Sequence, residues 1–420
     1  MNTETKPALH WAPARERMLL LTLAAINFTT VLDFVIILPL GPKFEKVFDI
    51  VESQFGYVVS AYGIAAAITG FAAGFFLDRF DRKKALVWLY AGFTIGTLCC
   101  GLSNSYILLL ASRALAGAFG GVVGAVILSI VGDVIPTERR GAAMGMVMSA
   151  FSISSIIGVP LGLMLANKFD WHMTFYALAG LSLIILGFVA WVTPPLRGHL
   201  EHAGDQHPIK RTLAVMTHPD HRKAYLFMAG LTCAGFLVFP HIANYMVFNV
   251  GLTDTELPWI YLSGGLFTLV SMNLVGRWSD RAGKLKVFTL TSLSTAVPIL
   301  LLTNLPKVPL IVAAACFTLM MICMSARMVP AMAMMTSAVE ARDRGGFMSV
   351  NSAVQQLSMG LTSILGGQII GEGPNKTITR FPINGILAIC CAYGCIYLAR
   401  FLKAPPVTAA SVEPAVVEMS

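Results

Sequence analysis

Charged residues are scarce in this chain of 420 residues. Asp, Glu, Lys and Arg make up 12% of the sequence, whereas hydrophobic residues make up 56%. Soluble domains carry about 25% charged residues. A mean hydropathy of +0.72 over the whole length leaves too little polar side chain to cover a soluble globule. The composition therefore excludes an ordinary soluble protein and indicates one that lies in a membrane.

The sequence also lacks the residue patterns that catalytic and metal sites need. We find no nucleotide-binding loop, no Ser/His/Asp arrangement at plausible depth and no cluster with metal-ligand spacing. The eight cysteines all fall in predicted helices, and none has metal-ligand spacing to a histidine. They are predicted to pack as small apolar residues. We therefore expect no enzyme activity, no bound metal and no cofactor.

Long apolar runs occupy most of the chain. Each is near 20 residues, the length that crosses a hydrocarbon layer of about 30 Å. The polar start leads directly into the first run without a small-residue cleavage site, so we expect that run to be retained as a membrane anchor. We predict twelve helices, at residues 18–41, 54–77, 84–103, 106–132, 141–166, 173–193, 223–249, 258–277, 285–305, 308–337, 345–370 and 381–402. The predicted fold class is an all-α membrane protein with twelve transmembrane helices in two six-helix bundles.

Two stretches, at residues 74–83 and 276–285, share the pattern Gly-x-x-x-Asp-Arg-x-x-basic. Their aspartates are about 200 residues apart, nearly half the chain, which is typical of a duplicated bundle. In so apolar a chain a duplicated bundle indicates a transporter. We predict an N-terminal bundle at 1–195, a cytoplasmic linker loop at 196–222, a C-terminal bundle at 223–403 and a disordered cytoplasmic tail at 404–420.

The distribution of positive charge predicts the orientation of the chain in the membrane. Of the 30 lysines and arginines, 22 fall on the predicted inner segments, 6 on outer loops and 2, Arg113 and Arg327, inside helices. Positive residues favour the cytoplasmic side, so both termini are expected in the cytoplasm. The net charge of +8 is explained by this orientation. Binding to nucleic acid is not expected.

Asp33 and Arg113 are the candidate proton-coupling residues. An ionised side chain in the middle of a membrane costs about 3 kcal/mol or more, and such residues are usually functional. Thr29 and Thr30 lie on the helical face of Asp33, at i−4 and i−3. One hypothesis is that Asp33 takes up and releases a proton during transport while Arg113 sets its proton affinity. The alternative is a fixed ion pair that orients two helices.

The second half offers polar residues at matching positions, although no acid matches Asp33. Amides, an imidazole and aromatic rings that converge on a cavity can bind a solute. The predicted substrate cavity consists of Thr29, Thr30, Asp33, Arg113, His241, Asn244, Tyr245, Arg327, Asn351, Gln355 and Gln356. The alternative is that His241 is a packing residue and that the polar face of helix 11 only holds helices together.

The repeated stretches and helix 5 are candidates for moving parts. The repeats predict a cytoplasmic latch between the two halves, made of Gly74, Asp78, Arg79, Arg82, Gly276, Asp280 and Arg281. Positive-inside charge alone is the other explanation of these residues. In helix 5, Gly158, Pro160 and Gly162 predict a bend. The functional interpretation of these three residues is a gating seal against the opposite half.

These motifs resemble those of the major facilitator superfamily. Residues 74–83 are similar to its loop 2–3 signature, Gly-x-Leu-Ala-Asp-Arg-x-Gly-Arg-Arg. Leu77 stands in the small-residue place and Asp81 replaces the second glycine, whereas residues 276–285 keep that glycine as Gly283.

Further motifs carry the resemblance along the chain. Arg113 with Gly117 resembles the helix 4 signature, and Gly158-Val-Pro-x-Gly resembles a shortened helix 5 antiporter signature. Asp33 in Leu-Asp-Phe-Val-Ile-x-x-Pro resembles the helix 1 acid of twelve-helix drug:proton antiporters.

The resemblance implies two six-helix bundles around a central cavity, working by alternating access. It implies a multi-pass carrier of the bacterial inner membrane, driven by the proton gradient without a cofactor. The expected partners are a small-molecule substrate, protons and membrane lipids, and a monomer suffices. Proton-coupled export of lipophilic or cationic compounds is the first expectation. A proton symporter or facilitator that imports a sugar, peptide or metal chelate is the alternative, and the short loops disfavour a receptor or scaffold.

Overall fold

The computed structural model describes residues 13–76, 80–194, 196, 208–339 and 344–402, and most of them are helical. The helices are α1 (Pro13–Ile36), α2 (Gly41–Val47), α3 (Glu52–Phe76), α4 (Arg82–Gly101), α5 (Tyr106–Val134), α6 (Thr137–Ile153), α7 (Val159–Lys168), α8 (Trp171–Val192), α9 (Pro208–Thr217), α10 (Pro219–Phe236), α11 (Ile242–Tyr245), α12 (Leu257–Ala282), α13 (Lys284–Ser294), α14 (Ala296–Thr303), α15 (Leu310–Ser337), α16 (Arg344–Ile369) and α17 (Phe381–Ala399). Two π-helical segments, Ser154–Gly158 and Met246–Val250, and two 3₁₀ segments, Phe239–His241 and Pro374–Lys376, lie between them. The strands β1 (Gly371–Glu372) and β2 (Ile378–Thr379) form an antiparallel hairpin before α17.

Eleven helical stretches in the described part of the chain are long and apolar enough to cross a membrane. Some of them join consecutive elements, such as α6 with α7 and α13 with α14. Helix α16 is not among the eleven, although it has 26 residues, because amide side chains make it more polar. The prediction of an all-α membrane protein is confirmed, and twelve helices are compatible with the structure.

Short polar side chains begin several of these helices at the membrane surface. The carboxylate of Asp81 accepts a hydrogen bond from the backbone N–H of Lys83 at 2.9 Å, and Ser105 accepts one from Leu108 at 3.3 Å. Such caps satisfy N–H groups that have no partner within the helix. Asp81 therefore replaces the signature glycine with a residue that starts α4.

The helices form two halves, α1–α8 and α10–α17. They meet mainly along α3 against α16, and along α7 with its preceding π segment against α12. We call the end of the bundle that holds the start of α1 and the end of α17 the termini end, and the opposite end the far end. At the termini end each half has its own hydrophobic cluster, whereas at the far end one cluster includes residues of both halves.

Glycines show where the two halves touch. A Cβ atom added to Gly56 would lie 2.7 Å from the carbonyl oxygen of Ser363, and one on Gly63 would lie 2.9 Å from that of Gln356. Further along α3, a Cβ on Gly74 would meet nothing within 4 Å. The contact between α3 and α16 is therefore tight toward the far end and opens toward the termini end.

The structure corrects the prediction of a continuous helix at 223–249. The first helix, α10, ends at Phe236, and a 3₁₀ segment, α11 and a π segment follow. Pro240 explains the break, because proline has no N–H to donate and its ring clashes with the preceding turn. The predicted linker loop at 196–222 also contains a helix, α9, which contacts α3 and α16. The predicted tail at 404–420 lies outside the described residues.

Candidate functional site

Asp33 and Arg113 form a buried ion pair between α1 and α5. The Arg113 Nη1 atom lies 2.7 Å from Asp33 Oδ2 and also donates to the backbone carbonyl of Asp33 at 3.3 Å. Both side chains are 0% exposed. The hydroxyl of Thr97, on α4, donates to the other carboxylate oxygen at 3.0 Å. Three helices therefore hold one carboxylate, and the structure brings together the two residues predicted to couple protons.

The rest of the Arg113 guanidinium lies against α3. Its central carbon is 4.7 Å from the centre of the Tyr62 ring, a distance at which a cation is attracted to the ring face. Gly117 permits this approach, since a Cβ there would lie 2.3 Å from the Tyr62 carbonyl oxygen. Among the described residues, Nε and Nη2 of Arg113 have no hydrogen-bond partner. The arginine therefore depends on Asp33 for most of its polar contacts.

The two threonines predicted in the cavity are occupied elsewhere. The Thr29 hydroxyl lies 2.8 Å from the hydroxyl of Tyr90, and Thr30 donates to the carbonyls of Ile26 and Asn27, both at 3.1 Å. Both threonines are buried. In this conformation they stabilise α1 and its contact with α4, and their predicted role toward a substrate stays a prediction.

Arg327 is the second arginine inside a helix, and its surroundings differ from those of Arg113. It is buried on α15, and the titratable groups around it are the thiols of Cys323, Cys391 and Cys395. No ion pair joins it to an acid in the described part of the chain, and its Nε and Nη1 atoms have no hydrogen-bond partner there. Within the described residues, the C-terminal half thus holds a buried positive charge without an acidic partner.

The polar residues of predicted helix 11, which is α16 in the structure, lie where the halves separate. Gln356 lines a cleft between the halves, and Gln355 is half-buried. Asn351 is buried, and its side-chain oxygen has no partner among the described residues. Small and polar side chains line this cleft: Ala66, Gly70, Ala73, Gly74, Gly121, Val122, Ala125, Ser349, Ser352, Ala353 and Gln356. Their small size leaves space beside α3, at the open part of the interface.

The glycines of predicted helix 5, which is α6, the π segment and α7 in the structure, face their own half. A Cβ on Gly158 would lie 2.8 Å from Leu32, and one on Gly162 would lie 2.8 Å from Ile36, both on α1. In the same segment, the carbonyl oxygen of Ser155 lies 3.0 Å from a Cβ built on Gly265 of the opposite half. Pro160 is buried in α7, and both α7 and the π segment before it contact α12 of the opposite half. The predicted role of Gly158, Pro160 and Gly162 as a gating seal stays a prediction.

The structure describes only part of the predicted latch. Asp78 and Arg79 lie outside the described residues. The Nε atom of Arg82 lies 3.3 Å from Asp133, which is in the same half. Gly276 has only Val329 nearby, and Asp280 and Arg281 are exposed without an ion pair to any described residue. A latch at the termini end is expected in the opposite conformation, in which that end is closed. Its role therefore stays a prediction.

Sequence reasoning missed Glu45 and Glu52, which meet the predicted cavity residues His241 and Asn244 at the far end. We call these four residues the far-end cluster. The Asn244 amide donates to Glu45 at 2.7 Å and to Glu52 at 2.5 Å. The other oxygen of Glu52 makes a short hydrogen bond with His241 Nδ1. The two glutamates belong to the N-terminal half, and His241 and Asn244 to the C-terminal half. The cluster therefore joins the halves at the closed end.

The far-end cluster is packed too closely to admit larger neighbours. A Cβ on Gly41 would lie 2.3 Å from the Asn244 side-chain oxygen, and one on Gly366 would lie 2.8 Å from His241 Nε2. Tyr245, predicted to share the face of His241, donates instead to the Leu305 carbonyl at 3.0 Å. Tyr245 therefore lies apart from the cluster, and its predicted role in a substrate cavity stays a prediction.

Comparison with known proteins identifies the family. The sequence profile of the Major Facilitator Superfamily matches residues 23–240 and 224–417. The MFS-type transporter YceJ of Bacillus subtilis (strain 168) is 27% identical over 62% of this chain and 67% of YceJ. The inner membrane transport protein YdhP of Escherichia coli (strain K12) is 25% identical over 86% of this chain and 91% of YdhP. Multidrug resistance protein 2 of B. subtilis is 30% identical, over only 40% of this chain and 42% of that protein.

Solved structures show the same fold. A crystal structure of a D-xylose-proton symporter superposes with a TM-score of 0.77 at 15% identity, over 93% of this chain and 98% of the symporter. A bacterial homologue of the human lysosomal transporter Spinster gives a TM-score of 0.68 at 16% identity, over 93% and 95% of the two chains. The chain belongs to the Major Facilitator Superfamily, and it is a multi-pass membrane transporter rather than an enzyme.

Proposed function

We propose that this protein is a proton-coupled antiporter that exports small lipophilic or cationic compounds by alternating access. The observation that carries the proposal is the fully buried contact between Asp33 and Arg113, at 2.7 Å. Removing two charges from water costs free energy that the attraction between them often fails to recover, and hydrophobic side chains of similar size would often stabilise the fold as well. A purely stabilising role therefore explains this buried pair poorly. Exchange of a proton on Asp33 for a substrate would explain why an ionisable pair is present inside the membrane.

In the proposed cycle the substrate enters while Asp33 is ionised, so that its carboxylate can attract a cation. Protonation of Asp33 then removes the attraction for a cation, frees Arg113 and displaces the substrate on the other side. The similarity to multidrug resistance protein 2 of B. subtilis supports this substrate class. The cleft that opens toward the termini end gives the substrate a route to the site.

The proposal places the termini end in the cytoplasm, so that the structure faces inward. The excess of lysine and arginine on the segments at that end supports this orientation. The bacterial inner membrane is the proposed location, and the protein acts as a monomer with the proton gradient as its energy source and no cofactor. Bulky apolar side chains at the surface, such as Trp88, Ile107 and Ile311, are the proposed contacts with lipid.

The test is the accumulation of a fluorescent lipophilic cation in bacterial cells that lack their own efflux pumps. Cells that express the protein should accumulate less of the dye than control cells, and a protonophore should remove the difference. A difference that survives the protonophore would contradict proton coupling. Greater accumulation in energised cells would indicate uptake, as expected of a symporter.

A second candidate function is the transport of a small anionic solute. The guanidinium of Arg327 favours it: this buried cation has no acidic partner among the described residues, and a guanidinium binds carboxylate or phosphate well.

For this candidate, Arg327→Gln should weaken the binding of an anionic substrate by about 10-fold or more, since hydrogen bonds to charged groups contribute about 1.5–3 kcal/mol. Binding is measured by thermal stabilisation of the purified protein across a set of organic anions and cations. The exposed Arg139→Gln is the matched control. Equal stabilisation of wild type and Arg327→Gln by every anion would reject this candidate.

A further inference from the structure

The far-end cluster places two carboxylates against one amide in a site closed to water. Glu45 is 2% exposed and Glu52 is 5% exposed, and His241 and Asn244 are fully buried. Both glutamates accept from the same Asn244 nitrogen, so their oxygens lie close together. Two ionised carboxylates cannot share such a site, because like charges in a low dielectric repel strongly. At least one proton must therefore be held on this pair while the far end is closed.

The positions of the two glutamates indicate which of them holds the proton. Glu52 is in the first turn of α3, where the helix dipole favours a negative charge, and it bonds to both Asn244 and His241. Glu45 lies near the C-terminal end of α2, where the dipole opposes a negative charge. Burial, and next the charge of Glu52, raise the pKa of the Glu45 carboxyl to about 10. The proton is therefore assigned to Glu45.

Among the described residues, the charge of Lys376 lowers the Glu45 pKa, but this effect is smaller than those of burial and of Glu52. Lys376 lies in the 3₁₀ segment between β1 and β2. Its Nζ atom donates to the Glu45 backbone carbonyl at 2.6 Å and to Asp49 at 3.0 Å rather than to the Glu45 carboxylate. Glu372 on β1 adds a further negative charge nearby. On α2 itself, Lys46 and, at a longer distance, Lys43 pair with Asp254 of the opposite half. His241 contacts Glu52 through Nδ1.

We propose that the Glu45–Glu52 pair is a second proton-binding site, separate from Asp33, which holds a proton while the far end is closed and releases it when the far end opens. Opening separates the N-terminal half from Asn244 and His241, so that both carboxylates meet water and ionise. The inference rests on the proposed transport function for its place in the cycle: a proton bound from outside would close the far end after substrate release. The gate itself is measurable without any substrate.

The sign of the pH dependence follows from the Glu45 pKa. Its value is about 10 in the closed state, and an exposed glutamate has an ordinary value of 4.5. A group whose pKa is raised in the closed state stabilises that state fully below the open-state value and loses this effect as the pH rises through the closed-state value. Low pH therefore favours the closed far end. Between the two values, the ratio of closed to open protein should fall by up to about tenfold per pH unit.

The experiment measures the distance across the far end at several pH values. Spin labels are attached through non-natural amino acids at Leu102 and Lys307, which are exposed, lie at the far end and belong to opposite halves. The native cysteines then stay in place. The full chain is studied in lipid nanodiscs without substrate. For the wild type we expect the population of the long distance to grow as the pH rises from 5.5 to 8.5, on the order of tenfold per pH unit at most.

Substitutions at Glu45 and Glu52 test whether these two carboxyls cause the pH dependence of the distance. Glu45→Gln, and the double variant with Glu52→Gln, keep the shape and the oxygen that accepts from Asn244, and they should make the distances nearly independent of pH. Asp49→Asn is the matched control, since this acid lies two residues beyond α2 and its side chain is 94% exposed. It should keep the wild-type dependence. Unchanged pH dependence in the double variant, or its loss in His241→Gln alone, would overturn the proposal.

The outcomes separate this inference from the proposed function. Distances that do not respond to pH in the wild type, together with protonophore-sensitive export, would reject the far-end site and leave proton-coupled export in place. A pH-dependent far end, together with export that a protonophore does not affect, would retain the site and reject the proposed energy source.

Discussion

Asp33→Asn should remove proton-driven export while leaving the protein folded in the membrane. Asparagine keeps the oxygen that accepts from Thr97, but it cannot take up or release a proton. Coupling between two ligands typically corresponds to a 5- to 150-fold effect, so export against a gradient should fall by about that factor. Initial rates of dye export, with and without an imposed pH gradient, measure it.

Two further variants make this result interpretable. Asp33→Glu keeps a titratable carboxyl and should retain part of the gradient-driven export. Thr97→Val removes one hydrogen bond to Asp33 without removing the proton site, and it should have a smaller effect. Full gradient-driven export by Asp33→Asn would eliminate Asp33 as the coupling residue, whatever the other two variants show.

Removing Arg113 should cost more stability than removing any exposed arginine. Arg113→Met leaves the buried carboxylate of Asp33 without its counterion, and breaking a buried pair in this way costs about 3–5 kcal/mol. The lone carboxyl can escape this cost only by taking up a proton, so the loss should grow as the pH rises. The free energy of unfolding in mixed detergent micelles measures the effect.

The matched control for Arg113 is Arg139, whose side chain is 60% exposed and also pairs with an acid. Arg139 donates to Glu16 through two nitrogens, at 2.9 and 3.0 Å, and Arg139→Met should cost less than about 1 kcal/mol. Adding Asp33→Asn to Arg113→Met should restore most of the lost stability, because the pair is then neutral. An equal loss in the single and the double variant would mean that Arg113 acts through packing against Tyr62 rather than through Asp33.

The fold was largely predictable because membrane insertion leaves a strong sequence signal. Apolar length gives the spans, and the repeated Gly-x-x-x-Asp-Arg stretches give the duplication. The break near Pro240 was missed because the residues on either side stay apolar, so the hydrophobic pattern continues while the backbone changes. Helix α9 was missed because its polar, histidine-rich surroundings are also typical of a solvated loop.

The candidate site was predictable only in part. Asp33 and Arg113 stand out because charges inside spans are rare, yet their contact depends on how α1 and α5 pack, which one sequence does not show. Glu45 and Glu52 lie in a polar stretch that is typical of an exposed loop. They become buried through His241 and Asn244, about 190 residues away in the sequence, and no local pattern records such a contact.

The most direct test of proton coupling follows protons and substrate together. The purified protein is placed in liposomes that contain a pH-sensitive dye, and a gradient of a transported lipophilic cation is imposed without a pH gradient. The account predicts that the wild type moves protons opposite to the substrate and that Asp33→Asn moves none. Substrate movement by the wild type without any proton movement, or equal proton movement in Asp33→Asn, would contradict it.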